Sequence, residues 1–498
     1  MADRRELRKL VGYDNRGNVY AAGQQIVRMI NSDYLKNAIS IYNQYKINGL
    51  EKLSIVETEY DETNNSFIHK KHIISYPYEW TANMYKDAVM FHLSLFIELD
   101  KHGIALKDAI PSNILFDFTR PIFVDFLSLV LKENLSNESW LIKSSKNADL
   151  KFSVIEQMFI PYMIIPFLAM AKKNYALARR LLSEKACNCG GGQPSWWDLY
   201  GVNDVIKAIK NLLKTLLLKD CHCFQSLAKD KKVKQYFKGH KKETDFIEFI
   251  KGGIALLKDI DVTPEKSSYV SYYEKKGEKF DVLRQLEWEN KQKNVYAVLN
   301  TRKPKTVLDI GANTGWFSLL AEKMGATVIA TDIDESSIDS LYLFAKENKL
   351  KILPLLVSFD DLNKEIYGNI DKDPIYINRD FKHIPLYIAG TKRFKSDMVL
   401  CLGLFHHLVL GMGKPMDQIF DILSMMTNKT LVLEFIDLED DVIKNEPSFF
   451  RSLSNYSKDN YNIPQIIKTG NKHYDKVEIM DSHPNTRKLL IFEKTAND

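Results

Sequence analysis

The chain has 498 residues, 45% hydrophobic and 27% charged, the balance of a globular protein too long for one core. Its 69 basic and 64 acidic residues leave a net charge of +5, too small an excess to argue for nucleic-acid binding. Five cysteines exclude a disulfide framework, and the charged start MADRRELRKLVGYDN has no apolar centre, so a cytoplasmic address is expected.

Residues 1–145 predict an α+β module. Short strand-like runs at Asn18–Tyr20, Gln25–Met29 and His72–Tyr76 alternate with turn signals such as Asp14-Asn15-Arg16-Gly17. Apolar residues at helical spacing over Met84–Leu99 predict a helix, and two strands are expected at Ile114–Phe116 and Ile122–Phe126. Within this module Leu106-Lys-Asp108-Ala-Ile-Pro-Ser-Asn113 has the Asp-x-x-x-x-Asn spacing of a protein-kinase catalytic loop. Asp125-Phe126-Leu127 follows where a kinase carries its metal-binding Asp-Phe-Gly. The hairpin-like start at Gly17–Tyr20 also fits a kinase small lobe. No glycine-rich loop stands out, however, and no lysine lies in a Val-Ala-Ile-Lys-type strand, so phosphates would lack their usual support. The reading is a degenerate kinase-like module.

Residues 146–285 read as helical. The longest apolar stretch, Met158–Ala171, is interrupted by Pro161 and Pro166 and falls short of the roughly 20 residues a membrane span needs. A buried broken helix or helix pair is expected there, and no transmembrane segment. Val205–Leu218 sets Ile and Leu against Lys207, Lys210 and Lys214, a solvated face over a core. Cys187, Cys189, Cys221 and Cys223 offer four thiols, but one intervening residue in each pair strains a tetrahedral zinc site. Buried free cysteines are the plainer reading, and no metal is expected.

From 286 to 498 apolar strands alternate with amphipathic helices, the sign of a parallel sheet covered on both faces. Val307–Ile310 runs into Gly311-Ala-Asn313-Thr-Gly315 and then a helix. Gly311 and Gly315 let the backbone approach a ligand, Asn313 between them is a further candidate cofactor residue, and Asp309 at the strand end can receive an amino group. A second strand, Thr327–Thr331, ends in Asp332, whose carboxylate can accept both ribose hydroxyls, with Ile333 beside it for the adenine face. The turn has no third glycine and nothing like a pyrophosphate cradle, which suits S-adenosylmethionine better than NAD. The third strand, Ile352–Val357, leads to Ser358-Phe359-Asp360, where the Ser358 hydroxyl or Asp360 can accept the adenine amine. The fourth, Asp397–Leu402, delivers His406 and His407 towards the transferred methyl, where one can take a proton from an attacking hydroxyl. Either can instead be a packing residue. Thr430–Phe435 is the fifth strand; it carries Glu434, and the acids Asp437, Glu439, Asp440 and Asp441 that follow read as a solvated loop. Lys488–Phe492 is the last strand of a mainly parallel, seven-stranded, Rossmann-like plan.

Several motifs taken together carry a family resemblance. They are Ser75-Tyr-Pro-Tyr-Glu-Trp80, Leu106 to Asn113, Arg120-Pro-Ile-Phe-Val-Asp125-Phe-Leu-Ser128, Val307 to Ser318, His406-His-Leu-Val-Leu-Gly411 and Leu433-Glu-Phe435. In that order they resemble a bacterial family of two-part class I methyltransferases that includes rhizobial nodulation methyltransferases. The resemblance implies methyl transfer from S-adenosylmethionine to a small-molecule or glycan acceptor of the envelope or secreted pool. It leaves the N-terminal region to shape the acceptor site or bind a protein partner. Where such relatives tend to carry an acid after the third strand and an Asn-Pro turn, this chain has Ser358 and Asp360-Asp-Leu-Asn363, and Gly368–Thr391 also diverges.

Overall fold

The structure is a computed structural model that describes residues 8–11, 16–138, 141, 149–182, 231–237, 245–267, 270, 287–367 and 385–495. Cys187, Cys189, Cys221 and Cys223, the lysine-bearing stretch 205–218 and residues 12–15 lie outside the described residues. The chain divides into two compact units, Met1–Pro264 with Ile366–Tyr387, and Glu265–Glu365 with Ile388–Asp498.

The first unit opens with a five-stranded antiparallel sheet in the order β1-β2-β3-β5-β4. Its strands are β1 (Arg8–Val11), β2 (Gly17–Ala22), β3 (Gln25–Ile30), β4 (Thr58–Asp61) and β5 (Ser66–Lys70), with helix α1 (Ser32–Ile47) between β3 and β4. The expected strand at His72–Tyr76 is absent. Its polar groups instead serve the turn that follows: the Tyr76 N–H donates to Glu79 Oε2 at 2.9 Å, and Ser75 Oγ accepts from Trp80 Nε1 at 3.0 Å. The strand sits a few residues earlier, as β5. The Asp61 carboxylate makes the β4–β5 reversal by accepting from the Thr63 N–H at 3.0 Å and from Asn64 Nδ2 at 2.8 Å.

Helix α2 (Ala82–Lys101) begins at a Thr81 cap and buries Tyr85, Val89, Leu93, Phe96 and Leu99 along one face. Short strands β6 (Ile104–Leu106), β7 (Ile114–Asp117), β8 (Arg120–Phe123) and β9 (Leu129–Leu131) follow. Among the described residues, 149–182 and 245–264 pack against this module. Phe96 of α2 meets Phe159 at 5.8 Å and Phe246 at 5.9 Å between ring centroids, and Phe152 meets Phe246 at 5.4 Å. A shared aromatic core of this kind joins elements that sequence reading separates.

The apolar stretch forms one helical run, Leu150–Ala171, of 22 residues rather than two helices. Proline has no N–H and its ring clashes with the carbonyl four residues back, so Ile155–Ile164 around Pro161 widens to a π-helix instead of breaking. By length and composition the run could cross a bilayer, but 72% of its apolar window is buried within the protein, the packing of a core helix.

The second unit holds a seven-stranded sheet in the order β12-β11-β10-β15-β16-β18-β17. The strands are β10 (Thr306–Ile310), β11 (Thr327–Asp332), β12 (Ile352–Leu356), β15 (Ser396–Cys401), β16 (Thr427–Ile436), β17 (Lys476–Asp481) and β18 (Arg487–Glu493). Residues Ile366–Tyr367 and Pro385–Tyr387 pair as β13 and β14 outside this sheet. The first five strands of the sheet are parallel; β18 runs antiparallel to β16 and to β17. Val307, Leu308, Ile310, Val399, Leu400, Val432 and Leu433 are buried, the near-continuous apolar runs of strands covered on both faces. Helix α3 (Asn290–Arg302) precedes β10, α4 (Trp316–Lys323) follows it, and α5 (Glu335–Glu347) follows β11. The chain moves outward from β10 through β11 to β12, then returns to lay β15 on its other side. That reversal opens a crevice beyond the carboxyl ends of β10 and β15, where ligands of open α/β sheets sit.

Candidate active site

The turn after β10 is built from residues in the left-handed region: Gly311 at φ +74°, Asn313 at +53° and Gly315 at +85°. A Cβ on Gly315 would lie 2.5 Å from Leu341 Cδ1, so glycine is required there twice over. Asn313 tolerates its strain because its own Oδ1 accepts from the Thr314 N–H at 2.6 Å. The Gly311 and Ala312 N–H groups both donate to the Thr331 carbonyl, at 2.8 and 3.0 Å, and this ties the turn to β11.

Asp332 ends β11. One carboxylate oxygen accepts from the Asn313 N–H at 2.7 Å, the other from the Asp334 N–H at 2.9 Å. It therefore braces the glycine turn, a role its spacing alone does not reveal. Burial pushes its pKa upward. Ile333 beside it leaves an apolar side chain 72% exposed at the strand end. Asp309, 3% exposed, accepts from Ser318 Oγ at 2.6 Å. Desolvation raises its pKa to about 6, against the pull of the Ser318 hydrogen bond.

After β12, Ser358 Oγ donates to Asp361 Oδ2 at 2.6 Å while accepting from the Asp361 N–H at 3.2 Å. Phe359 is buried. Thus Ser358 keeps company with Asp361, and Asp360, half-exposed, pairs with Lys414.

His406 and His407 open the turn after β15. His406 is 2% exposed, and among the described residues neither ring nitrogen has a hydrogen-bond partner. Burial holds its pKa well below the usual histidine range. His407 stacks on Phe450 at 5.5 Å and 19°, meets the edge of Phe449 at 5.3 Å, and is pushed down by burial to about 4. Both rings are therefore neutral at neutral pH.

Glu434 on the fifth strand and Asp440 in the acid run after it are both out of solvent. Glu434 is fully buried, accepting from Ser482 Oγ at 2.7 Å and pairing with Lys291 Nζ at 2.7 Å. Asp440, 1% exposed, accepts from Arg487 Nε at 2.8 Å and from its terminal nitrogen at 2.9 Å, with Thr486 adding a third bond at 2.6 Å. These hydrogen bonds, outweighing burial, lower its pKa to about 2. Glu439 is half-exposed and pairs with Lys444 and Lys458, as a solvated loop acid does. Lys291 and Arg487 escape sequence reading because a lone cation carries no signal of its partner.

The first unit gathers a second polar cluster. Arg28 on β3 pairs with Asp125 at 2.8 Å, and Lys107 with Asp108 at 2.7 Å. Ser128 Oγ bridges the two carboxylates at 3.1 Å from Asp108 and 2.5 Å from Asp125, while Asn113 Nδ2 donates to the Asp108 carbonyl at 3.0 Å. The structure thus brings Asp108, Asn113 and Asp125 together. It adds Arg28, which a search for lysine passes over.

No protein-family model matches the chain. It is similar to nodulation protein NoeA of Rhizobium meliloti, 24% identical over 393 residues that cover 74% of this chain and 70% of the relative. It is also similar to the ribosomal protein L11 methyltransferase of Thermotoga maritima, 38% identical over 72 residues, 14% of this chain and 26% of that one. Among solved structures, that of the bifunctional kinase-methyltransferase WbdD matches with a TM-score of 0.29 and 17% identity, covering 44% of this chain and 42% of that one. The sheet order, with its one antiparallel excursion, and the glycine turn braced by an acid define a class I methyltransferase fold. The protein is an S-adenosylmethionine-dependent methyltransferase.

Proposed function

We propose that the second unit methylates a hydroxyl of a glycan or related envelope or secreted metabolite, with His406 as the proton acceptor. The observation that carries this reading is His406 itself: a neutral, buried imidazole with both nitrogens unpartnered, one turn beyond the fourth parallel strand. Left without a ligand, such a group costs about 1–3 kcal/mol, so its place argues for a partner that the protein does not supply. The glycan rests on the resemblance to nodulation methyltransferases.

The residues fit the cofactor. The turn Gly311–Gly315 admits it closely, Asp309 takes the methionine amino group, Asp332 the ribose hydroxyls, Ile333 one adenine face, and Ser358 with Phe359 and Asp360 the adenine edge. S-adenosylmethionine supplies a methyl carbon on a positively charged sulfur. The acceptor oxygen attacks that carbon in line, the carbon–sulfur bond breaks with its electrons passing to sulfur, and the hydroxyl proton goes to His406. Because burial lowers the proton affinity of His406, transfer accompanies carbon–oxygen bond formation rather than preceding it. A profile of turnover against pH should then be flat through the neutral range, and an inflection near 6.5 would argue against this base.

A second reading, a bifunctional kinase–methyltransferase, is favoured by the strand order β1-β2-β3-β5-β4 with a helix after β3, and by the convergence of Asp108, Asn113 and Asp125. Against it, α1 contains no glutamate to hold a β3 cation, and Arg28 turns to Asp125 instead. Both carboxylates are already neutralised by protein cations, which leaves magnesium poorly served. We therefore read the first unit as a degenerate kinase-like module that binds a protein partner. Magnesium-ATP turnover assays should find no phosphate transfer; an autophosphorylation signal abolished by Asp108→Ala would reverse this reading.

A further inference from the structure

We propose that Lys291 holds the carboxylate of the cofactor's methionine moiety; the inference rests on the cofactor site proposed above. Lys291 is the second residue of α3, the helix before β10. Its ammonium lies 2.7 Å from Glu434 Oε2 near the end of β16 and 5.3 Å from the ring centroid of Phe317, in the first turn of the helix after Gly315. Glu434 in turn approaches the turn after β15, where a Cβ on Gly403 would stand 3.7 Å from Oε2. The charge is also felt by Asp309 at the end of β10, where it opposes the rise that burial causes, and by His406, where it adds to the fall that burial causes. Lys291 therefore stands among the carboxyl ends of β10, β15 and β16, where the methionine end of the cofactor must lie.

Glu434 already has a partner on each oxygen, Ser482 and Lys291, and it is fully buried. Lys291 has donors left: an ammonium has three N–H donors, one goes to Glu434, and among the described residues it makes no other hydrogen bond. Its side chain stays 16% exposed, enough for a ligand to reach. An amino-acid moiety is a zwitterion, and Asp309 answers only its amino group. A methionine carboxylate placed near Asp309, Asp332 and Glu434 with no cation would lose its hydration uncompensated. Lys291 supplies that cation, anchored by Glu434 so that it arrives already ordered.

The test uses the full chain and calorimetry with three probes: S-adenosylhomocysteine, its decarboxylated analogue, and 5′-methylthioadenosine, which lacks the amino-acid part. Lys291→Met should weaken S-adenosylhomocysteine about 10–100-fold, the range of a charge-assisted hydrogen bond, and leave the other two within about threefold. Since that variant strands the buried Glu434 carboxylate, the comparison is repeated in Lys291→Met/Glu434→Gln, where neither charge remains and the same selective loss is expected. Lys291→Arg should restore part of the preference for the carboxylate. Equal losses for all three probes would make Lys291 a purely structural partner of Glu434 and overturn the inference. Wild-type protein that binds none of the three would instead sink the cofactor-site reading.

Discussion

The two polar clusters of this protein differ in what they leave unsatisfied. In the first unit each carboxylate faces a protein cation, Asp125 with Arg28 and Asp108 with Lys107, and Ser128 lies between them. In the second, the glycine turn bends into the left-handed region, Ile333 lies exposed, and His406 has two nitrogens without partners. A satisfied cluster stabilises its own fold. An unsatisfied one, held by strain and burial, is costly unless a ligand completes it. On the function proposed above, the same residue types serve structure in one unit and chemistry in the other.

That contrast is broken most sharply by His406→Gln. Turnover on the true acceptor should fall about 10²–10⁴-fold while S-adenosylhomocysteine affinity stays near wild type, and calorimetry beside single-turnover kinetics separates the two. His407→Gln should chiefly lower thermal stability, because that ring packs on Phe449 and Phe450. If both variants keep full turnover, the base lies elsewhere.

The mirror-image experiment is Arg28→Met. It leaves Asp125 without its cation and should destabilise the first unit by about 2–4 kcal/mol, read by thermal or urea unfolding, with cofactor affinity unchanged. A loss of cofactor affinity in step with the stability would erase the distinction between the clusters.

Asp332→Ala should cost about 1.5–3 kcal/mol in cofactor affinity by calorimetry, since it removes both the ribose acceptor and the brace on the Asn313 N–H. Unchanged affinity would remove Asp332 from the site.

Acidity supplies a smaller effect. The Asp309 pKa stands near 6 in the fold against an ordinary 3.8, so the native state favours the protonated acid. The cofactor-free protein should lose stability as pH rises from about 4 through 6, and a bound amino group should offset that loss. Affinity for S-adenosylhomocysteine should accordingly weaken as pH falls below about 6, and Asp309→Asn should flatten the dependence.

The smallest change is expected of Asp125→Asn, which should leave methyl transfer per folded molecule within a few-fold of wild type. A large specific loss would give the first unit a part in catalysis.

The sequence by itself determined the second unit's sheet and glycine turn. Parallel strands buried on both faces must be continuous apolar runs, and a left-handed turn must carry glycine or asparagine, so Val307–Gly315, Thr327–Asp332 and Asp397–Leu402 announce themselves locally. His406 and His407 follow from strand order alone, although which ring is buried alone and which stacks on Phe450 does not. Tertiary structure decided everything that depends on a distant partner. Asp440 reads as a solvent-facing acid, and Glu434 as a strand residue without a partner, until Arg487 and Lys291, separated from them by dozens of residues, close on them. Arg28 reads as an ordinary strand residue until Asp125 meets it. Pro161 reads as a helix break until a widened turn in a packed helix absorbs it. Local steric rules are written in neighbouring residues, whereas the pairing of a buried charge is fixed only when the fold removes water from both members.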